Sequence, residues 1–136
     1  MKDKLLSKQG WVILLICIIS FFINNRVVVP DIMEARNMVT AREMVHDGNW
    51  LVPTMNGDLR LEKPPLPTWL TAVAEMISPD NLALQRAMAG FAAILLVAFF
   101  YLTAVQVMRN KRYAFISTIL LCTCYNIILM GRTASW

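Results

Sequence analysis

One uninterrupted apolar run limits what this chain can fold into more than any other feature. Residues 82–108 (LALQRAMAGFAAILLVAFFYLTAVQVM) contain a single charged side chain, Arg86. A helix of about 20 apolar residues is long enough to cross the hydrocarbon core of a bilayer. The chain as a whole, with 57% hydrophobic and 16% charged residues, is also more apolar than a typical soluble domain. These features predict an integral membrane protein.

Two further apolar runs predict two more spans, at residues 10–23 and 113–130. The basic start MKDKLLSK before a short apolar run is also typical of a cleaved signal peptide. We favour an uncleaved helix, because INNRVVVPDIM offers no small-x-small cleavage site. The predicted fold class is therefore all-α integral membrane, with three transmembrane helices and amphipathic juxtamembrane helices in a long first outward loop.

Basic residues predict the orientation of these spans. Three lysines precede the first span, and RNKR at residues 109–112 joins the second to the third. Lys and Arg collect on the cytoplasmic side of membrane proteins, so both clusters are expected there. The chain then divides into three parts: 1–29, the cytoplasmic N-terminus and first transmembrane helix; 30–80, a periplasmic or extracellular loop; and 81–136, the second and third transmembrane helices. The expected location is the cytoplasmic (inner) membrane. The lipid bilayer is the expected partner, and no nucleic-acid partner is expected.

The outward loop begins with a predicted helix over residues 32–46. Asp31 with Glu34 three residues later resembles a capping box, and Gly48 is a typical C-terminal stop. Either acid could serve only as a cap, or one could face a cavity and handle a proton or a cation. Helical spacing predicts an apolar side and a polar side, which would let the helix lie on the membrane. The apolar side would hold Ala35, Met38, Val39 and Val45; the polar side would hold Arg36, Thr40 and Glu43.

Arg42 falls on the apolar side of this helix, so it should snorkel to headgroups or pair with an acid. Further along the loop, Asn56-Gly57-Asp58 is a turn signal between the extended pieces WLVP and LRLE. Residues 67–78 then suit a second interfacial helix, with proline near its first turn.

The stretch EKPP places an acid and a base against two prolines, at Glu62, Lys63, Pro64 and Pro65. Proline fixes its own backbone and pushes the preceding residue into an extended conformation. Lys63 is thus a cation on a stiff turn, which suits a phosphate anchor, and Glu62 points the other way, toward a metal, a basic residue or a substrate hydroxyl. A solvated surface pair is the alternative interpretation.

The order of several motifs resembles the first outward loop of membrane glycosyltransferases with the multi-span C-type fold. The similar branch contains lipid A aminoarabinose transferases and bacterial relatives of protein O-mannosyltransferases. The motifs cover residues 30–70 and are Glu34-Ala35-Arg36, Ala41-Arg42-Glu43-Met44, Gly48-x-Trp50-Leu51-Val52-Pro53, Asn56-Gly57 and Glu62-Lys63-Pro64-Pro65. Such enzymes move a sugar from a polyprenyl-phosphate donor to a lipid, glycan or protein acceptor outside the cytoplasmic membrane.

The resemblance implies roles for individual residues. Lys63 would contact the lipid phosphate of the donor, and Glu62 would lie in the same cavity, near a divalent metal in some members. The motif arginines Arg36 and Arg42 are predicted to bind substrate. The resemblance implies no definite cofactor. A divalent metal bound at Glu62 is the alternative that stays open.

The chain departs from the family pattern at the candidate base. The family often carries an Asp-Glu pair just before x-Arg, and the Asp position here is Met33, with Glu34 matching the Glu. The catalytic carboxylate is therefore either Asp31 or Glu34. We favour Asp31, because a residue at a helix N-terminus can turn into a cavity.

The resemblance also implies that the chain is the N-terminal part of a larger enzyme, because members of this branch have roughly ten or more spans. The remaining C-terminal spans would then be partners of this part, which we expect to be inactive alone. The alternative is a small non-enzymatic membrane protein whose outward loop binds lipid headgroups or a partner; a transporter fragment is a weaker third. The three cysteines are expected to be buried apolar residues, and His46 is not expected to bind metal.

Overall fold

The computed structural model describes residues 8–27 and 29–135. These residues form a helical bundle, a second layer of two helices that packs on the bundle, and one short β-hairpin. The helices are α1 (Lys8–Phe22), α2 (Ile32–Asp47), α3 (Pro65–Ile77), α4 (Leu82–Met108), α5 (Lys111–Cys122) and α6 (Tyr125–Arg132). The hairpin pairs β1 (Thr54–Met55) antiparallel with β2 (Asp58–Leu59), between α2 and α3.

Helices α1, α4, α5 and α6 pack together into an apolar bundle. Its core contains Ile13, Cys17 and Phe21 of α1 against Ala93 and Val97 of α4. Within the described residues, α4 is the one unbroken helix that is long and apolar enough to span a membrane. Helix α1 is also apolar, but its 15 residues rise about 22 Å, less than the hydrocarbon thickness of about 30 Å. The chain is thus helical with one clear membrane span.

The predicted third span is not one unbroken helix. Helices α5 and α6 meet at a bend of 60°, so together they form either a broken span or a re-entrant turn. The bend brings Gly131 of α6 against the ring of Phe21, where a Cβ atom on Gly131 would lie 2.7 Å from a ring carbon. Average hydropathy did not reveal this, because residues 113–130 remain apolar on average despite the polar side chains around the break at Thr123 and Cys124.

A second layer consists of α2, the hairpin and α3, and it packs on the start of α4. We call it the outward layer, after the loop that the sequence predicts to face outward. The predicted α2 is confirmed: it begins after Asp31, whose Oδ1 accepts from the Ile32 N–H at 2.8 Å, and ends at Gly48, with φ 74°. The predicted second helix is confirmed as α3. The turn is confirmed too, since Asn56 and Gly57 both have positive φ, as a tight hairpin requires. The strands are shorter than expected and lie directly beside this turn.

The side of α2 that is buried against the rest of the protein is not the predicted apolar side. The side chains it buries are Glu34, Asn37, Thr40, Ala41 and Met44, most of them polar. Met44 and Ala41 pack on Ala72 of α3, whereas the polar members meet hydrogen-bonding partners on neighbouring elements. Hydrophobic spacing does not indicate this side, because the helix is buried largely through its polar groups.

The strongest of these polar contacts joins α2 to α4. Arg86, 1% exposed, donates from Nε to Glu34 Oε1 and from Nη2 to Glu34 Oε2, both at 2.7 Å. Its Nη1 donates to the carbonyl of Asn25, after α1. A bidentate, fully buried arginine–carboxylate pair is among the strongest directional contacts in proteins. Arg86 is thus paired inside the protein, whereas the capping-box role of Glu34 is wrong, since its carboxylate faces Arg86.

We predict that Glu34→Gln lowers the free energy of unfolding in detergent by about 3–5 kcal/mol, because it leaves the Arg86 charge buried without a counter-charge. The matched control is Glu62→Gln, which removes an exposed ion pair with Arg36 and should cost no more than about 1 kcal/mol. Equal losses for the two variants, measured by denaturant titration with a helical signal, would contradict this account of the fold.

We also predict that mild oxidation with copper phenanthroline joins Cys17 to Cys122, whose Sγ atoms lie 3.7 Å apart inside the bundle. Cys124 is exposed and should remain available to a maleimide label. Peptide mapping checks the pairing, and Cys17→Ser should abolish the intramolecular disulfide. A Cys17–Cys124 product in place of Cys17–Cys122 would show that α5 is rotated relative to α1.

Candidate functional site

Three basic side chains of the outward layer form a group that we call the cationic site: Arg36, Arg60 and Lys63. Arg36, on α2, pairs with Glu62 at 3.2 Å, and both side chains are partly exposed. Arg60 and Lys63, which flank Glu62 in sequence, line one small cleft together with Thr40 and other neutral residues. Positive charge therefore exceeds negative charge here, an arrangement that favours an anion.

Arg60 is held rigidly within this site. Its Nη1 donates to the carbonyl of Arg36 at 2.7 Å and to Thr40 Oγ1 at 2.6 Å. The side chain is buried, and among the residues that the structure describes, its Nε has no hydrogen-bond partner. Burial, reinforced by the charge of Arg36 and opposed by that of Glu62, lowers the pKa of Arg60 from its usual value. An anion placed beside this buried cation would favour its charged form.

Lys63 also contacts the segment that follows α6. Its Nζ donates to the carbonyl of Ser135 at 3.3 Å. Ala134, the preceding residue, is buried: its N–H donates to Glu34 Oε1 at 3.0 Å, and its carbonyl accepts from Asn37 Nδ2 at 3.1 Å. Residues 133–135 are thus held between α2 and the turn carrying Lys63. This contact ties the end of the α5–α6 pair to the cationic site.

Asn37 links the same segment to α3. Its Nδ2 donates to Thr71 Oγ1 at 3.1 Å, while its Oδ1 accepts from Thr68 Oγ1 at 3.0 Å. Both ends of the amide are therefore used, and this bonding pattern fixes the orientation of the side chain. The result is a fully bonded polar core beneath the cationic site.

The two candidate catalytic carboxylates occupy very different environments. Asp31 lies at the exposed N-terminus of α2, where one of its oxygens caps Ile32. Glu34 is fully buried, and its oxygens accept hydrogen bonds from Arg86 and from the Ala134 N–H. Asp31 is accessible to solvent, whereas Glu34 is enclosed by protein groups that already bond to it.

Arg42 does not join the cationic site. It lies on another side of α2 and pairs with Asp80, in the α3–α4 connection, and with Glu75 of α3, 3.8 Å away. The expectation that Arg42 pairs with an acid is confirmed. These two carboxylates satisfy the guanidinium, so the structure separates it from Arg36 and Lys63.

The described residues do not provide an evident resident metal site. No group of three or more His, Cys, Asp or Glu side chains converges among residues 8–27 and 29–135. Glu62, suggested as a ligand by the resemblance, faces Arg36 instead. A cation site built on Glu62 would need further ligands that this part of the chain does not bring to it.

Arg60 was absent from the sequence-based site, although the sequence held a signal for it. In an extended chain, residues two apart share a side, so LRLE places Arg60 and Glu62 together. Asn37 and the segment 133–135 offered no such signal, since their contacts join residues about 100 positions apart.

No protein-family profile matches the chain, and no solved structure matches it. Curated proteins named undecaprenyl phosphate-alpha-4-amino-4-deoxy-L-arabinose arabinosyl transferase do match. The chain is 34% identical over 92 residues to one from Pseudomonas savastanoi, a region that is 68% of this chain and 17% of that protein. It is 31% identical over 102 residues to one from Shewanella sediminis, 75% of this chain and 18% of that protein.

A transferase of the same name, numbered 2, from Proteus mirabilis is 29% identical over 112 residues, or 82% of this chain and 20% of that protein. The chain thus spans about a fifth of the length of these curated relatives. The likeness covers most of the chain, including the outward layer and α4. At these sequence identities, the chain is similar to one part of the aminoarabinose transferases, which are C-type glycosyltransferases.

Proposed function

We propose that the chain is part of a membrane glycosyltransferase that moves a sugar from a polyprenyl-phosphate donor to a lipid, glycan or protein acceptor. The relatives named as undecaprenyl-phosphate sugar transferases support the donor class. The observation that carries the proposal is the cationic site beside a membrane span, with Lys63 fixed on a proline-bounded turn. That site has the charge and the position needed for a phosphate attached to a lipid.

The proposed role of the cationic site is to hold the donor phosphate. When the sugar leaves, negative charge grows on the lipid phosphate, and fixed cations stabilise that charge. Lys63 is the proposed direct contact, because a lysine binds phosphate as a compact charge on a stem that can reach outward. Arg36, oriented by Glu62 at 3.2 Å, and the buried Arg60 add to the positive field.

Asp31 is the proposed general base. An acceptor hydroxyl needs a carboxylate that is accessible and able to take its proton, and Asp31 is exposed with one oxygen engaged by a cap. The bonds of Glu34 to Arg86 and Ala134 favour a different role, that of holding α2 and residues 133–135 in place. Arg42, paired with Asp80 and Glu75, is proposed to act outside the donor phosphate site.

The proposed topology has a cytoplasmic N-terminus and residues 30–80 on the outer side of the cytoplasmic membrane. The basic link between α4 and α5 lies at the far end of α4 from Arg86 and would be cytoplasmic. Residues 133–135 meet the outward layer again, as expected if α5 and α6 together recross the bilayer. Helix α3 supports an interfacial position, since it exposes an apolar strip, namely Leu66, Leu70, Val73, Met76 and Ile77.

We predict that Lys63→Ala weakens binding of a short-chain polyprenyl phosphate by about tenfold or more, because a charge-assisted contact is lost. The measurement is a binding titration in detergent with the purified chain. Lys111→Ala, which removes the same charge at the start of α5, is the matched control and should bind like wild type. Equal affinity of Lys63→Ala and wild type would remove Lys63 from the phosphate role.

We predict that Asp31→Asn lowers the transfer rate about 100-fold or more in an active transferase containing this segment, because the base is lost. Asparagine caps a helix about as well as aspartate, so the melting temperature should stay unchanged. The variant thereby separates the two roles of Asp31. Normal turnover by Asp31→Asn would leave Asp31 as a cap and require another base.

A further inference from the structure

Asn37 joins the two segments of the chain to which Lys63 is attached. Its side chain is buried in α2, and its Oδ1 accepts from the hydroxyl of Thr68, in the first turn of α3. Its Nδ2 donates to the carbonyl of Ala134, beyond α6. Lys63 lies just before α3 in sequence, and its Nζ donates to the carbonyl of Ser135, the residue after Ala134. Both the backbone and the ammonium of this lysine therefore meet a segment that Asn37 holds.

The backbone attachment of Lys63 is short and stiff. Residues 64–67 separate it from Thr68, and three of these four residues are proline. Because proline fixes its own φ, the first turn of α3 and the backbone of Lys63 keep a nearly constant relative position. The buried bond between Asn37 and Thr68, 3.0 Å long, thus sets the point from which the lysine side chain extends.

The ammonium of Lys63 is attached through a backbone carbonyl, that of Ser135, at 3.3 Å. A backbone carbonyl keeps its direction only if the neighbouring peptide groups are fixed. Ala134 is fully buried, its N–H donates to Glu34 at 3.0 Å, and its carbonyl accepts from Asn37 at 3.1 Å. These two bonds hold the peptide groups on both sides of Ala134, and they thereby direct the next carbonyl toward the lysine.

We propose that Asn37 is a positioning residue for Lys63. It acts through the lysine, by holding the ammonium at the place where the donor phosphate binds, and does not itself contact the phosphate. This inference rests on the phosphate role proposed above for the cationic site. A lysine side chain has many rotamers, and ordering it when a ligand binds costs conformational entropy. A lysine that is already ordered gives tighter binding, because the ligand then has fewer groups to immobilise.

The variant Asn37→Leu tests this role, since leucine has the same number and branching of side-chain heavy atoms but forms no hydrogen bond. The probe is a short-chain polyprenyl phosphate, titrated into the purified chain in detergent. We expect Asn37→Leu to weaken binding by about fivefold, because Lys63 must then be ordered during binding.

The matched control is Thr71→Val, in the same buried polar core. It removes the hydroxyl that accepts from the Asn37 amide at 3.1 Å, again without changing the branching of the side chain. The bonds of Asn37 to Thr68 and Ala134 remain. Both variants should lower the melting temperature, whereas the affinity of Thr71→Val should equal that of wild type. A purely structural role of Asn37 predicts the same loss of affinity in both.

A double-mutant cycle shows whether Asn37 acts through Lys63. In the Lys63→Ala background, adding Asn37→Leu should weaken binding no further, whereas independent contributions would add. The ³¹P NMR signal of the bound phosphate gives a second readout, taken at saturating ligand. Asn37→Leu should move this signal toward its position in Lys63→Ala, and Thr71→Val should leave it unchanged.

The variant Ala134→Gly keeps the test valid if circular dichroism shows that Asn37→Leu does not fold. Glycine loosens the backbone next to Ser135 and removes no hydrogen-bonding group. We expect binding about threefold weaker than wild type, since the carbonyl that orients the lysine is then less well fixed. The same change should have no effect in the Lys63→Ala background.

The outcomes separate this inference from the function on which it rests. Wild-type affinity in folded Asn37→Leu, or a loss that adds fully to that of Lys63→Ala, would overturn the positioning role and leave the phosphate role of Lys63 intact. A loss of equal size in Thr71→Val would do the same. Wild-type affinity in Lys63→Ala would overturn both, since no phosphate contact would then exist for Asn37 to position.

Discussion

The buried ion pair between Glu34 and Arg86 is the contact on which the rest of the structure depends. Two charges removed from water need each other, and the bidentate geometry allows one rotational setting of α2 over α4. The same carboxylate also accepts from the backbone of Ala134. One side chain therefore joins the outward layer, the clear membrane span and the end of the α5–α6 pair, and everything built on α2 takes its position from this contact.

With that rotation fixed, α2 presents different groups in three directions. Asn37 faces the polar core over α3, and its neighbour Arg36 faces the turn that carries Glu62 and Lys63. Arg42 faces Glu75 of α3 and Asp80 in the connection to α4. A single short helix therefore meets two different environments: an excess of cations on one side, and the carboxylates that pair with Arg42 on another.

The sequence predicted the elements well and their packing poorly. Local signals, namely the Asp31 cap, the left-handed Gly48 and the Asn56-Gly57 turn, were read correctly because each acts within a few residues. The buried side of α2 was not predicted, since Glu34 is buried against Arg86, which lies 52 residues away in the sequence. The break between α5 and α6 was also missed, because hydropathy reports composition and not helix direction. The resemblance assigned Lys63, Arg36 and Arg42 together to substrate binding, whereas the structure pairs Arg42 with Glu75 and Asp80, apart from the cationic site.

The function proposed here depends on a lipid phosphate lying against the cationic site. Photocrosslinking tests this most directly: a short polyprenyl phosphate with a photoreactive group beside the phosphate is bound to the purified chain, irradiated and mapped by peptide mass spectrometry. The account predicts adducts at residues 60–63 and around Arg36, suppressed by excess unmodified polyprenyl phosphate. Adducts confined to the exposed apolar face of α4, or to residues around Arg42, would contradict it.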